Sequence, residues 1–374
     1  MATDGPYRVM VVDDSAVIRG LLTRCLEADP AISVVASVSN GELALRAVER
    51  QDIEIVLLDI EMPVMDGMTA LPLLLRARPG VQVVMASTLT RQNAEISLRA
   101  MANGAADYVT KPSSTSELHS ADAFKRELTE KVKAVAAAGR SGRRGAARRG
   151  LVARGAVPRA APAGAERQPA PDIRLRPAPA VRPDVIAIGS STGGPQALFK
   201  VLGDLGRDVT QPILITQHMP ATFTALLAEH ITRASGIPCH EGKDGESIVP
   251  GRIYVAPGDF HMLVERGKTG TAIRLHQGEP ENYCRPAVDP LLRSMAPIYR
   301  SRLLVLILTG MGADGRNGSQ AVTAAGGAVV AQDEATSVVW GMPGAVATAG
   351  LCSAVLPLPE IAPYVRKLAV RSAA

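Results

Sequence analysis

The sequence predicts two α/β domains, each a mostly parallel sheet with helices on both faces, and three observations predict it. A chain of 374 residues exceeds what one hydrophobic core ordinarily serves. Short apolar runs alternate with segments whose apolar residues recur at helical spacing, first up to about residue 137 and again from residue 184. Between them, residues 138–183 consist largely of Ala, Gly, Pro and Arg and offer little to bury, so a disordered linker is expected there. The expected divisions are thus a first domain over 1–137, a linker over 138–183 and a second domain over 184–374.

Composition narrows the function classes. Apolar residues at 47% and charged residues at 21% are ordinary for a globular protein, whereas 3% aromatic content argues against base stacking as a mode of action. The net charge of +5 is misleading as a sum. Residues 139–183 carry eleven Arg against only Glu166 and Asp172, so the remainder of the chain is net acidic and nucleic-acid binding is not expected. No apolar stretch has membrane-spanning length, and the opening "MATDGPYRVMVVDD" lacks the basic and apolar blocks of a secretory leader; a cytoplasmic protein without membrane insertion is expected. Cys25, Cys239, Cys284 and Cys352 lie far apart with no metal-ligand spacing and read as ordinary thiols.

In the first domain the runs "YRVMVVDD", "SVVASVSN", "IEIVLLDI", "VQVVMAST" and "ADYVTKP" predict five parallel strands. Val17, Ile18, Leu21, Leu22, Cys25 and Leu26 predict one buried face for the helix between the first two. In such a sheet the ligand site lies at the carboxyl ends of the strands. Asp13 and Asp14 close the first strand and Asp59 the third, so three carboxylates converge, and like charges so close call for a hard divalent cation, Mg²⁺. A hydroxyl from Ser87 or Thr88 and the amine of Lys111 complete what reads as a phosphoryl-accepting site.

These motifs together, "VVDDS", "LLDIEMPVMDG" and "GAADYVTKP", resemble a response-regulator receiver domain, which has a flavodoxin-like fold. The resemblance implies that Asp59 is phosphorylated by a histidine kinase and that Asp13, Asp14 and Asp59 hold Mg²⁺. It further implies that Lys111 contacts the phosphoryl group and that Ser87 and Tyr108 are the switch residues.

The second domain resumes the rhythm with "DVIAIGSS", helices through "GPQALFKVLGDL" and "ATFTALLAEHITRAS", "PILITQHM" and "SRLLVLILTGMGADG". The segments "GRIYVAPG", "HMLVERG" and "TAIRLHQG" alternate in a way that predicts a small antiparallel insertion. Three polar clusters fall at strand ends: Ser190, Ser191 and Thr192; Gln217 and His218; and Thr309 to Gly315, with Asp314. A serine needs an imidazole to take its proton and a carboxylate to orient that imidazole. Ser191, centred in Gly189-Ser190-Ser191-Thr192-Gly193, fits the G-x-S-x-G turn, with His218 and Asp314 as partners. A phosphate-binding loop is the alternative for this turn, and a helix cap is the alternative for Asp314. His261 is a second histidine with a place near a pocket. The glycines beside Met311, including Gly312, free backbone N–H groups to face an oxyanion. The order Ser, His, Asp departs from that of α/β-hydrolases.

With "IGSSTGGPQAL", "ITQHMP", "YVAPGD", "RPAVDPLL", "LTGMGADG" and "GMPGAV" in sequence, the second domain resembles the catalytic domain of the chemotaxis protein-glutamate methylesterases. The resemblance implies a serine esterase, needing no cofactor for the ester reaction, that demethylates glutamates on methyl-accepting chemotaxis receptors and deamidates receptor glutamines. Ser191 would be the nucleophile, His218 the base and Asp314 its orienting carboxylate, with Thr192 and the backbone of Met311 and Gly312 in support. Where the family has Gly-Ala-Ser this chain has Gly-Ser-Ser, and its linker is longer. Two rival readings are the same hydrolase in another signalling pathway and a receiver-controlled nucleic-acid-binding regulator.

Overall fold

A computed structural model describes residues 5–111, 118–153, 173–267 and 270–370. The first domain runs β1 (Tyr7–Val12), α1 (Ala16–Glu27), β2 (Ile32–Val38), α2 (Gly41–Arg50), β3 (Ile55–Asp59), α3 (Gly67–Ala77), β4 (Gln82–Ser87), α4 (Arg91–Ala102), β5 (Asp107–Thr110) and α5 (Leu118–Ala153). The five strands are parallel in the order β2-β1-β3-β4-β5. Alternate residues feed opposite faces: Val9, Val11, Ile55 and Leu57 join one apolar cluster, and Met10, Val12, Val56 and Leu58 the other. Side chains start the helices, since Ser15, Asn40, Asp66 and Thr90 each accept from the backbone N–H three residues on.

Two expectations for this domain need correction. Val17 is 74% exposed, and only Leu22 and Leu26 of the predicted face of α1 are fully buried. Val17 is the second residue of the helix, in its first turn. The second correction concerns the linker. The helix α5 continues through residues 138–153, because Ala and Arg are strong helix formers and Arg140 is anchored. Its guanidinium meets buried Glu54 at 2.7 Å through both Nε and Nη2 and lies 4.3 Å above the Tyr7 ring. At the other end residues 173–183 run without regular structure along the second domain, tied by the Arg176 N–H to the Cys352 carbonyl at 2.8 Å. Residues 154–172 of the expected linker lie outside the described residues.

The second domain comprises β6 (Val185–Ser190), α6 (Gly194–Leu205), β7 (Ile213–Gln217), α7 (Ala221–Ser235), β8 (Cys239–Glu241), β9 (Ile253–Val255), β10 (His261–Gly267) and β11 (Gly270–His276). It continues with α8 (Val288–Tyr299), β12 (Leu303–Ile307), α9 (Arg316–Ala324), β13 (Ala328–Gln332), α10 (Gly341–Thr348), β14 (Ala354–Leu356) and α11 (Leu358–Ala369). Seven strands form a parallel sheet in the order β14-β13-β12-β6-β7-β9-β8, and β10 with β11 makes a separate antiparallel hairpin. The segment "GRIYVAPG" was expected in the antiparallel insertion, but its β9 pairs in parallel with β7 and β8. Ile253, Tyr254 and Val255 are all completely buried, as a strand covered on both faces requires.

The two domains share a core surface. The helix α4 packs on α6 and α7, and the Tyr108 ring stacks on Phe223 at 4.3 Å between centroids and 13° between planes. Met311, Val338 and Val339 of the second domain join the apolar cluster beneath β1 and α5 of the first. Among the described residues no helix is long and apolar enough to cross a membrane.

Candidate active site

Each domain presents its polar groups where strand order reverses, the crevice position general to open α/β sheets. In the first, Asp13 follows β1 and Asp59 ends β3, neighbours in the sheet. Lys111 bridges them, its Nζ 2.6 Å from Asp13 and 2.5 Å from Asp59. Carboxylate oxygens of Asp13, Asp14 and Asp59 lie within 4.8 Å of one another, with Asp14 exposed and the other two buried. An all-oxygen donor set of this kind fits a hard divalent cation such as Mg²⁺. Burial pushes the Asp59 carboxyl up, the Lys111 amine pulls it back, and the charge of Asp13 adds to the rise. The Ser87 hydroxyl at the end of β4 is buried without a hydrogen-bond partner among the described residues. Tyr108, the other expected switch residue, is buried against Phe223, so its ring is itself part of the domain contact.

In the second domain the reversal falls between β6 and β12. Ser191 follows β6, His218 follows β7, and Asp314 lies in the loop between β12 and α9, so neighbouring strands carry all three to one edge. Backbone bonds lock the corner: Ser191 N–H donates to Thr309 at 3.0 Å, and His218 N–H to Ser190 at 3.1 Å. Two glycines permit the close approach. A Cβ on Gly194 would lie 2.0 Å from Gln217 Oε1, and one on Gly310 would lie 2.9 Å from Ser191 Cβ.

Ser190 has a defined task. Its buried hydroxyl donates to Gln217 Oε1 at 2.7 Å, and Gln217 Nε2 donates in turn to the carbonyls of Ser191 at 2.9 Å and His218 at 3.2 Å. This side chain thereby pins together the two loops that carry Ser191 and His218.

His218 Nε2 and Asp314 Oδ2 are 2.7 Å apart. Asp314 is 1% exposed, and its carboxylate also accepts from the backbone N–H groups of Val288, Asp289 and Gly315 and from Asn282 Nδ2. Burial disfavours its charge, yet His218 and these donors outweigh burial and hold the carboxyl below its ordinary value. For His218 burial likewise opposes the charge, but the bond to Asp314 and the neighbouring Cys284 sulfur push the imidazole up to about 10. With Nε2 committed to Asp314, Nδ1 is the nitrogen left for a proton from elsewhere. It faces Cys284 Sγ at 3.3 Å, and Ser191 Oγ has no hydrogen-bond partner among the described residues.

The remaining expected residues surround these. Thr192 is buried, its carbonyl accepting from Thr309 Oγ1 at 2.9 Å and its side chain lying against Asp107 of β5. The Met311 N–H has no acceptor among the described residues, and exposed Gly312 adopts φ +82°. His261 stays out of the site: Nε2 meets the Glu279 carbonyl at 3.0 Å, and Nδ1 accepts from the Ala287 N–H at 3.2 Å. Asn282 and Cys284 were not foreseen, because their relation to Asp314 and His218 depends on the loop of residues 282–284, far beyond the histidine in sequence, closing over it. Spacing gives no sign of it.

A cavity of about 650 Å³ joins the domains at this edge. Ser191, His218, Cys284 and Met311 line one wall, and Tyr108, Arg126 and Lys131 of the first domain line the other. Arg126 sits 4.6 Å over the Tyr283 ring, and Lys131 Nζ donates to the Tyr108 carbonyl at 2.9 Å. The first domain therefore roofs the site.

Comparison with known proteins matches both modules. Residues 9–122 match the response regulator receiver domain, and residues 186–365 match the CheB methylesterase domain. The chain is 62% identical to a protein-glutamate methylesterase/protein-glutamine glutaminase of group 2 operon from Rhodospirillum centenum, over 99% of this chain and 95% of that protein. It is 60% identical to the protein-glutamate methylesterase/protein-glutamine glutaminase of Azospirillum brasilense, over 98% of this chain and 94% of that protein. The crystal structure of the Thermotoga maritima CheB methylesterase catalytic domain is 40% identical, covering 50% of this chain and all of that one with a TM-score of 0.49. With both modules matched in order and such identity along almost its whole length, the chain belongs to the family of CheB-type response regulators, the protein-glutamate methylesterases/protein-glutamine glutaminases.

Proposed function

We propose that the protein is a phosphorylation-controlled serine esterase that hydrolyses glutamate γ-methyl esters on methyl-accepting chemotaxis receptors and deamidates receptor glutamines. The observation that carries the chemistry is the His218–Asp314 pair at 2.7 Å, set in one cavity with Ser191. Ser191 Oγ attacks the ester carbonyl while His218 Nδ1 takes its proton, and buried Asp314 fixes the Nε2–H tautomer and balances the imidazolium. The unpaired Met311 N–H, with the support of Thr192 and Gly312, meets the oxyanion. Methanol leaves with the proton from His218, and water then releases the glutamate. A glutamine offers the same carbonyl with ammonia as leaving group.

Control comes from the roof. A receptor chain must reach Ser191, and the first domain stands over it, so the resting protein is closed. Phosphorylation of Asp59 by a histidine kinase shifts the population toward an open arrangement. Asp13, Asp14 and Asp59 would hold Mg²⁺, which when bound neutralises phosphoryl oxygens. Lys111 contacts the phosphoryl group, and Ser87 and Tyr108 report it to the interface. The stack of Tyr108 on Phe223 supports this reading, since any outward swing of that ring must part it from the second domain. With a kinase and receptor tails as partners, the site of action is the cytoplasm.

Methanol release from methylated receptor membranes tests the assignment. Ser191→Ala is expected to lower the rate by at least about a thousandfold, as loss of a triad nucleophile does. Equal release by wild type and variant would remove Ser191 from the reaction.

A further inference from the structure

Of the protein's four cysteines, Cys284 alone meets an imidazole among the described residues: its Sγ lies 3.3 Å from Nδ1 of His218. It is partly exposed and lines the cavity between the domains, where a small molecule can reach it. The contact is built in. The Cys284 and Glu281 backbones exchange hydrogen bonds at 2.9 and 3.1 Å. The intervening Asn282 and Tyr283 are held at φ +53° and +63°, and Asn282 is fastened to Asp314 at 2.9 Å. Cys352, Cys239 and Cys25 are different. Burial pushes the first two thiols up to about 12 and also raises the third, which suppresses their thiolates.

We propose that Cys284 and His218 form a reactive thiol–imidazole pair, and that covalent modification of Cys284 by a peroxide or an alkylating agent switches the esterase off. The inference rests on His218 being the esterase base and adds a regulatory site to it. The geometry supplies both halves. Because Nε2–H is committed to Asp314, Nδ1 is the nitrogen that shares the thiol proton with Sγ. The thiolate sulfur then attacks one oxygen of a hydroperoxide, the O–O bond breaks, and the departing oxygen collects the proton. Sulfur is oxidised by two electrons to sulfenic acid, and hydrogen peroxide is reduced to water. Any group added at Sγ occupies the space before Nδ1, the nitrogen that must accept the proton of Ser191. A dithiol restores the thiol, forming its own disulfide and water, so peroxide inactivation is reversible.

The test uses the full-length protein. Limited iodoacetamide treatment followed by mass spectrometry of the four cysteine peptides is expected to find Cys284 alkylated about tenfold or more faster than Cys25, Cys239 and Cys352, and slowed by a similar factor in His218→Gln. Under hydrogen peroxide, dimedone should trap sulfenic acid at Cys284. Methanol release should fall in proportion to trapping and return with dithiothreitol. Labelling of Cys284 no faster than Cys25, or unaltered by His218→Gln, would overturn the pair. So would peroxide inhibition of Cys284→Ser, relative to its own untreated rate, equal to that of wild type. Labelling is read without the esterase, so undiminished methanol release by His218→Gln would strike at the catalytic role while the labelling rates still decide the thiol pair.

Discussion

At the residue scale, Ser190 braces the corner beside the proposed nucleophile through its hydrogen bond to Gln217. Ser190→Ala would leave the buried Gln217 Oε1 without its donor, and is expected to cost about 1–3 kcal/mol in urea unfolding. Its methanol release should fall far less than that of Ser191→Ala. The pH dependence of stability has a definite sign. The folded protein raises His218 to about 10, so its contribution is complete below the ordinary histidine value near 6.5 and is lost as pH rises toward about 10. Asp314 is depressed, so its contribution is present above the ordinary carboxyl value of about 3.9 and is lost in acid, as pH falls through the folded value. Urea titrations of wild type and His218→Gln are therefore expected to differ most near pH 6 and to converge toward pH 10. Ser191, His218 and Asp314 were each legible from a polar residue placed after an apolar strand. Cys284 was not, because nothing local to "ENYCRP" says which histidine it will face.

At the element scale, legibility followed the local stop signals. The helices α6 and α7 begin and end where Gly193, Gly206, Pro220 and Gly236 punctuate the sequence, and their extents were readable from those residues. The short strand β9 was not, since a fully buried tripeptide carries no alternation of its own and only its partners β7 and β8 define it. The length of α5 turned on a contact with Glu54, distant by 86 residues. Arg140→Ala removes both of its bonds to that buried carboxylate. It is expected to destabilise the first domain by about 3 kcal/mol, measured by urea unfolding of the full chain.

At the scale of the whole molecule, the decisive feature is that the receiver lies over the esterase cavity, with Tyr108 stacked on Phe223 across the join. Phe223→Ala is expected to raise methanol release severalfold in the unphosphorylated protein and to reduce the stimulation given by acetyl phosphate. Asp59→Asn should abolish that stimulation while sparing the basal rate. If acetyl phosphate leaves the wild-type rate unchanged, control through Asp59 fails.

The sequence by itself determined the two parallel-sheet modules, their chemistry-bearing strand ends and the family, because strand and helix periodicity and strand-end residues are local properties of the chain. Only the tertiary structure decided that Ser190 braces Gln217, that Cys284 faces the His218 imidazole, and that residues 138–153 continue a helix. It also decided that the receiver roofs the cavity lined by Ser191 and His218. Each of these depends on contacts between segments far apart in sequence, whose energies arise only when both domains have packed.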